Sequence, residues 1–212
     1  MWTVPDRPDL FYAVKELARH VGDPSETDWL ALKRVLRYLK GALARCLWLG
    51  FSDEKCDEGI LVVVDANWAS GRSYRSTSGG AVFWDGFLIQ HWARTQGSVS
   101  QSSCESEMVA LSVGASEGKF VQSMLAELWK EVNPVCLYSD SSSAVALTFR
   151  RGMGRLRHLA VKQLWLQEET KASRISSFRV TSEDNVADVF TKPLLRPRFL
   201  KLCDRIGMGE PP

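Results

Sequence analysis

Long apolar runs, paired cysteines and a leader-like start are all missing from the sequence. None of its apolar stretches approaches the roughly 18–20 residues of a membrane span, so we expect neither an integral membrane protein nor a membrane partner. The first residues lack the basic start and apolar stretch of a signal peptide. Scattered cysteines without a Cys-x-x-Cys pair are typical of free thiols in a reducing compartment. We therefore expect an intracellular protein that is not secreted.

Several common catalytic motifs are missing as well. The histidines His20, His91 and His158 have no metal-ligand spacing. The serine clusters contain no Gly-x-Ser-x-Gly elbow, and no Gly-x-x-x-x-Gly-Lys-Ser/Thr phosphate loop occurs. These absences argue against zinc hydrolase, serine hydrolase and phosphate-loop chemistry.

What the sequence does have is an uneven distribution of charge. Its 212 residues, 45% of them hydrophobic, suffice for one sizeable globular core. The net charge of +2 divides into +2 over residues 1–50, −6 over 51–143 and +6 over 144–212. An acidic middle before a basic tail indicates either a cation site beside an anionic ligand or solvated surface charge, and both interpretations stay open here.

Hydrophobic periodicity predicts an α/β domain with a mixed sheet, preceded by two amphipathic helices that end near residues 21 and 41. An Asp-Gly pair at 85–86 predicts a hairpin turn. The predicted strands are 47–51, 60–65, 81–84, 87–92, 135–139 and an edge strand at 175–180; the predicted helices are 102–132, 142–150, 157–171, 186–191 and 196–206.

Two aspartates stand at the ends of apolar strands. Asp65 closes the run at 60–65, and Asp140 directly follows the run at 135–139. An isolated charge is costly to bury, and the ends of adjacent inner strands are common places for functional sites. A turn or capping role is the alternative, especially for Asp140, which three serines follow. The two together favour a functional site.

The long helix offers two glutamates with different surroundings. Ser102 and Glu105 fit a capping box, which gives Glu105 a structural task. Glu107 instead shares a helical face with Gly114 and Gly118, and a face of small residues packs closely on a sheet. Glu107 is therefore the candidate metal ligand, pointing towards the strand ends.

Metal-assisted phosphodiester chemistry explains these carboxylates best. Carboxylates brought to one point repel each other unless some are protonated or a cation binds. Magnesium prefers oxygen ligands that it shares with phosphate, and two ions about 4 Å apart can activate water and stabilise the leaving oxygen. The spacing around Asp188 alone favours a charge that stabilises the first turn of a short helix.

Five blocks carry a family resemblance, and they follow one another in order. They are Asp-Ala-Asn-Trp-Ala at 65–69, Arg-Ser-Thr-Ser-Gly-Gly at 75–80, Ser-Ser-Cys-Glu-Ser-Glu-Met-Val-Ala-Leu at 102–111, Tyr-Ser-Asp-Ser at 138–141 and Asn-Val-Ala-Asp-Val-Phe-Thr-Lys-Pro-Leu at 185–194. As a set they resemble the ribonuclease H domain of copia-type retrotransposon polyproteins. Residues 1–45 resemble the tail of the reverse transcriptase of the same polyprotein, but they lack its catalytic pair of adjacent aspartates.

The resemblance implies a ribonuclease H-like five-stranded mixed sheet flanked by helices over residues 46–212, after a small helical segment at 1–45. It implies an Asp-Glu-Asp-Asp site of Asp65, Glu107, Asp140 and Asp188 that holds two Mg²⁺ or Mn²⁺ ions. It also implies an endonuclease that hydrolyses the RNA strand of RNA–DNA hybrids during reverse transcription and leaves 3′-hydroxyl and 5′-phosphate ends. Its partners would be the hybrid and the upstream reverse transcriptase, in a cytoplasmic particle or the nucleus.

Polar and basic side chains near these blocks are candidates for contacts to the hybrid. They are Asn67, Ser76, Thr77, Arg157, His158, Lys192 and Arg198. Two alternatives remain. A catalytically inactive nucleic-acid-binding remnant predicts loss of acidic ligands, whereas all four are present. A DNA-strand-transfer enzyme of the integrase class uses an Asp-Asp-Glu order, whereas the order here is Asp-Glu-Asp-Asp.

Overall fold

A computed structural model describes residues 6–49, 59–70, 74–130, 134–150 and 161–210. The helices in these ranges are α1 (Phe11–Ala18), α2 (Glu26–Gly41), α3 (Ser103–Trp129), α4 (Ser142–Thr148), α5 (Val161–Lys171) and α6 (Arg196–Arg205), with 3-10 helices at Pro8–Leu10, Ser182–Asp184 and Val186–Phe190. The strands are β1 (Cys46–Leu47), β2 (Ile60–Asn67), β3 (Thr77–Trp84), β4 (Phe87–Thr95), β5 (Val135–Ser139), β6 (Ile175–Arg179) and β7 (Met208–Gly209). No helix within the described ranges has the length and apolar character that crossing a membrane requires.

The central sheet has the strand order β4-β3-β2-β5-β6. Strands β2, β3 and β4 pair antiparallel, whereas β5 pairs parallel with both β2 and β6. The predicted five-stranded mixed sheet flanked by helices is confirmed, and β6 lies at the edge, as predicted. In the β2–β5 register Val63 lies opposite Tyr138, so both strands end at the same edge of the sheet. The parallel pairing thus brings together the residues that close these two strands.

Helix α3 packs against one face of the sheet through small residues. A Cβ on Gly114 would lie 2.5 Å from Cγ1 of Val64, and one on Gly118 would lie 2.7 Å from Cγ2 of Val62. The helix therefore approaches β2 more closely than any larger side chain would allow. This close approach is the packing that the small-residue face of the helix predicts.

The opposite face of the sheet is covered by the C-terminal elements together with the N-terminal segment. Leu10 is buried, and Phe11 makes an edge contact with the ring of His91 at 4.8 Å. His91 in turn stacks on Phe190 at 5.4 Å. The helical segment before residue 46 thus packs on the sheet next to the 3-10 helix Val186–Phe190. The domain boundary at residue 45 stays a prediction.

Several boundaries differ from the sequence-based prediction. Strands β3 and β4 are longer than predicted, because Thr77–Gly80 pairs with the end of β2 although its small polar residues show no apolar alternation. Helix α1 ends at Ala18, and the 186–191 helix is a 3-10 helix. Of the predicted strand at 47–51, the described residues show only β1 at Cys46–Leu47, and its pairing with β7 was not predicted because β7 has only two residues. Phe51, Arg157 and His158 lie outside the described residues.

Candidate metal centre

Three carboxylates from three different elements meet at the edge where β2 and β5 end. Asp65 comes from β2, Glu107 from the N-terminal part of α3, and Asp140 directly follows β5. Each offers one oxygen, and these oxygens all lie within 4.8 Å of one another. Asp65 is 2% exposed and Glu107 7%, whereas Asp140 is half-buried. A close group of carboxylate oxygens is the donor set that hard divalent cations prefer.

Hydrogen bonds hold Glu107 in this position. Its Oε1 accepts from the backbone N–H of Ala66 at 3.2 Å, and its Oε2 accepts from the hydroxyl of Ser139 at 3.4 Å. The same Ser139 hydroxyl accepts from the backbone N–H of Ser141 at 3.2 Å. The carboxyl group is therefore fixed between the ends of β2 and β5.

Glu105, two residues before Glu107, makes hydrogen bonds that stabilise the N-terminal end of α3. The hydroxyl of Ser102 accepts from the backbone N–H of Glu105 at 3.2 Å, which is the first half of the predicted capping box. The Glu105 carboxylate accepts from the backbone N–H of Gln101 at 2.7 Å. The two glutamates of this turn thus face different partners.

Asp188 lies beside the three-carboxylate group and is paired with cations of the protein. Among the described residues, the carboxylates that cluster within 4.8 Å are Asp65, Glu107 and Asp140, without Asp188. Oδ1 of Asp188 lies 2.7 Å from Nζ of Lys192, and its Oδ2 accepts from Nη2 of Arg198. The ligand role of Asp188 stays a prediction, because its carboxylate is engaged by these two side chains.

The segment that carries Asp188 is tied to β2 by contacts that sequence reasoning missed. The hydroxyl of Thr191 donates to Oδ2 of Asp65, and Nδ2 of Asn67 donates to the backbone oxygen of Thr191 at 3.2 Å. Nδ2 of Asn185 donates to the backbone oxygen of Val64 at 3.1 Å. The only signal for these roles in the sequence was the polar asparagine and threonine within the apolar block at 185–194.

The predicted hybrid contacts take different places in the structure. Ser76 and Thr77 are buried, where Ser76 accepts from the backbone N–H of Ala69 at 3.2 Å and Thr77 accepts from Nζ of Lys15 at 2.7 Å. Asn67, Lys192 and Arg198 lie next to the carboxylates, in the contacts given above. Arg157 and His158 lie outside the described residues. A role in binding nucleic acid stays a prediction for all seven.

Burial disfavours the ionised form of three carboxyl groups at this site, those of Glu107, Asp65 and Asp188. Burial, together with the charges of Asp65 and Asp140, raises the pKa of Glu107 to about 9. Burial also raises the pKa of Asp65 to about 6, although the ammonium of Lys192 opposes this shift. The pKa of Asp188 is raised by burial against the same opposition. A bound dication would therefore displace protons from the group.

The order of the sheet and the carboxylates at its edge define an α/β domain with a five-stranded mixed sheet and an acidic edge, which is the fold that the resemblance to ribonuclease H implies. No family model matches the chain. The chain is 31% identical over 209 residues to the retrovirus-related Pol polyprotein from transposon RE2 of Arabidopsis thaliana, covering 97% of this chain and 14% of that protein. It is 29% identical over 205 residues to the corresponding polyprotein from transposon TNT 1-94 of Nicotiana tabacum, covering 95% and 15%.

The relatives that the chain resembles over nearly its whole length are retrovirus-related Pol polyproteins from copia-type transposons. The chain spans only a small part of the length of these relatives, 14% and 15% for the two named here. Among solved structures it is similar to LC11-RNase H1, isolated from compost, with 14% identity and a TM-score of 0.45, covering 63% of this chain and 93% of that chain.

Proposed function

We propose that this chain is a metal-dependent endonuclease that hydrolyses the RNA strand of RNA–DNA hybrids during retrotransposon reverse transcription. The observation that carries the proposal is the meeting of Asp65, Glu107 and Asp140 within 4.8 Å at the edge of the sheet. Similarity to retrovirus-related Pol polyproteins supports the context, in which the upstream reverse transcriptase of the same polyprotein would be the partner.

The donor set fits Mg²⁺ or Mn²⁺. All three groups offer carboxylate oxygens, and these are the ligands that both ions prefer. Asp65, Glu107 and Asp140 would hold the ion, and an ion bound there would activate water and stabilise the leaving oxygen in phosphodiester hydrolysis. The two-ion site that the family resemblance implies would also need Asp188, whose carboxylate engages Lys192 and Arg198.

The protein's own groups would orient the reaction. Thr191 fixes one oxygen of Asp65, while Ala66 and Ser139 fix both oxygens of Glu107, so the carboxylates are positioned before substrate arrives. Asp140 is the most accessible of the three. The hybrid would be recognised by its shape, phosphates and ribose 2′-hydroxyls, with little sequence preference.

Cleavage of a labelled hybrid in Mg²⁺ tests the proposal, with Asp140→Asn as the variant. We expect the variant to cleave at least about 100-fold more slowly than wild type, since even outer-sphere partners of a metal commonly contribute 10- to 100-fold. Asp204→Asn is the matched control, because the Asp204 side chain is exposed and lies 3.5 Å from Arg45.

Three results would contradict parts of the proposal. Equal cleavage by wild type and Asp140→Asn would remove Asp140 from the reaction. Hybrid binding without cleavage by folded wild type would favour an inactive nucleic-acid-binding remnant. Cleavage of double-stranded DNA without hybrid cleavage would favour an enzyme of the integrase class.

A further inference from the structure

A lysine ammonium lies between two buried carboxylates next to the three-carboxylate group. Nζ of Lys192 is 2.7 Å from Oδ1 of Asp188 and 3.4 Å from Oδ2 of Asp65. The two carboxylate side chains are 1% and 2% exposed, whereas the lysine side chain is 33% exposed. A single positive charge of the protein thus serves two carboxylates at once.

Both carboxylates have a further partner besides Lys192. Oδ2 of Asp188 accepts from Nη2 of Arg198, and Oδ2 of Asp65 accepts from the hydroxyl of Thr191. Asp188 therefore has a cation on each oxygen. One oxygen of Asp65 lies within 4.8 Å of an oxygen of Glu107 and of Asp140, and these three residues form the three-carboxylate group.

We propose that Lys192 is a tethered cation that takes the place of a second divalent ion, so that the protein without nucleic acid binds a single ion at Asp65, Glu107 and Asp140. The inference rests on the proposed function, because it requires that the three carboxylates bind a divalent ion.

Two physical effects favour the ammonium over a second ion. The lysine lies four residues after Asp188, so its charge is held at high effective concentration and pays little entropy to stay there. A dication entering between Asp65 and Asp188 would have to displace this ammonium from both carboxylates, or else lie beside it and be repelled. An ion at the three-carboxylate group would share only Asp65 with this ammonium, and Glu107 and Asp140 would supply two further carboxylates to bind it.

Burial distinguishes this ion pair from the exposed ones on the same part of the chain. Lys201 lies 3.3 Å from Asp184, but both side chains are well exposed, and such pairs interact weakly. Loss of the Lys192 ammonium, by contrast, leaves two buried carboxylates without their shared cation. Without that ammonium, Oδ1 of Asp188 and the carboxylate of Asp65 no longer face Lys192. A divalent ion can then bind between them.

The test is the number of Mn²⁺ ions that the full chain binds without nucleic acid, measured by isothermal titration calorimetry and by the electron paramagnetic resonance signal of unbound Mn²⁺. We expect one ion for wild type and two for Lys192→Met. Lys192→Arg keeps the positive charge and should bind one ion. Lys201→Met removes an exposed ammonium by the same substitution and should also bind one.

The outcomes separate this inference from the proposed function. Two ions in wild type, or one ion in Lys192→Met, would overturn the role of Lys192 and leave the metal-dependent nuclease standing. No ion in wild type would overturn both. Should Lys192→Met fold only with metal, its melting temperature gives a second measurement: Mn²⁺ should raise it more than it raises that of wild type, and an equal or smaller rise would contradict the inference.

Discussion

The pKa of Glu107 is strongly raised because its carboxyl group is buried beside two other carboxylates. In the metal-free protein this carboxyl keeps its proton well above the pH at which an exposed glutamate releases it, since its pKa is about 9 instead of 4.5. Proton release, metal binding and stability are therefore linked at this residue.

The metal-free protein should lose stability as the pH rises from about 5 to about 9. Over this range the unfolded chain releases the Glu107 proton while the folded chain retains it, so the folded state binds more protons and is favoured at the lower pH. Thermal melting in EDTA should therefore show a fall with pH that is shallower in Glu107→Gln. Glu127→Gln, at an exposed position of the same helix, is the control. Identical slopes for wild type and Glu107→Gln would contradict this account.

Thr191 should contribute to metal affinity although it has no role as a ligand. Thr191→Val keeps the shape of the side chain but removes the hydroxyl that fixes Asp65. We expect Mn²⁺ affinity to fall by about 10- to 100-fold, which is the usual effect of losing a partner behind a ligand. Calorimetric titration measures the loss, and Thr181→Val, which loses an exposed contact to Asp184, should leave the affinity unchanged. Unchanged affinity in Thr191→Val would show that Asp65 needs no such support.

At the scale of residues, part of the candidate site was predictable from the sequence. Asp65 and Asp140 were recognisable as charges at the ends of apolar strands, and Glu107 by the small-residue face of its helix. The hydroxyl contacts of Ser139 and Thr191 were not recognisable, because they depend on how distant segments meet. The four-residue spacing of an acidic and a basic side chain at 188 and 192 was visible, but the sharing of that ammonium with Asp65 was not.

Among the elements, α3 can pack closely on the sheet only because residue 114 is a glycine. The Cβ of an alanine at Gly114 would lie 2.5 Å from Val64 and 3.1 Å from Leu137, so the helix would have to move away from the sheet. The N-terminal turn of that helix carries Glu107, so packing in the middle of α3 bears on the position of a candidate ligand.

Gly114→Ala should therefore destabilise the fold, because overpacking usually costs about 1–3 kcal/mol and the 2.5 Å contact with Val64 places this site towards the upper end. After the gain of about 1 kcal/mol in helix propensity, we expect a net loss of about 1–2 kcal/mol. Urea unfolding measures this loss, and Gly41→Ala is the control because a Cβ there would meet no atom of the described residues within 4 Å. Equal stabilities for Gly114→Ala and wild type would contradict the close packing of α3.

The N-terminal segment should stabilise the 3-10 helix that carries Asp188. Phe11→Ala removes the edge contact to His91, which stacks on Phe190, and we expect a loss of about 1–3 kcal/mol. Amide hydrogen exchange should show reduced protection across Val186–Phe190. Leu30→Ala, at an exposed position of α2, should leave that protection unchanged. Unaltered exchange in Phe11→Ala would indicate that the segment before residue 46 is energetically separate.

Strands were predicted correctly where a local sequence pattern marks them, and their ends were predicted wrongly where pairing with a neighbouring strand extends them. The hairpin turn was predictable because Asp85 and Gly86 adopt φ values of +51° and +80°, which an Asp-Gly pair accommodates. The start of β3 was not predictable, because glycines at 79 and 80 do not favour a strand by themselves. At Gly79 the missing side chain lets Phe190 pack against the strand, since a Cβ there would lie 2.7 Å from Cβ of Phe190.

For the whole molecule, the distribution of charge is more informative than its total. The net −6 of residues 51–143 includes Asp65, Glu107 and Asp140, which meet in the fold. The net +6 of residues 144–212 includes Lys192 and Arg198, which turn towards Asp188. The structure therefore favours a cation site for the acidic part, while two of the basic side chains act first as internal partners of carboxylates.

Strand-resolved cleavage of an RNA–DNA hybrid by the full chain tests the central claim most directly. The RNA and DNA strands are labelled separately and incubated with Mg²⁺ or with EDTA. The account predicts that only the RNA strand is shortened, only with Mg²⁺, and that its products carry 3′-hydroxyl and 5′-phosphate ends. An intact RNA strand in the presence of folded, metal-bound protein, or equal cutting of both strands, would contradict it.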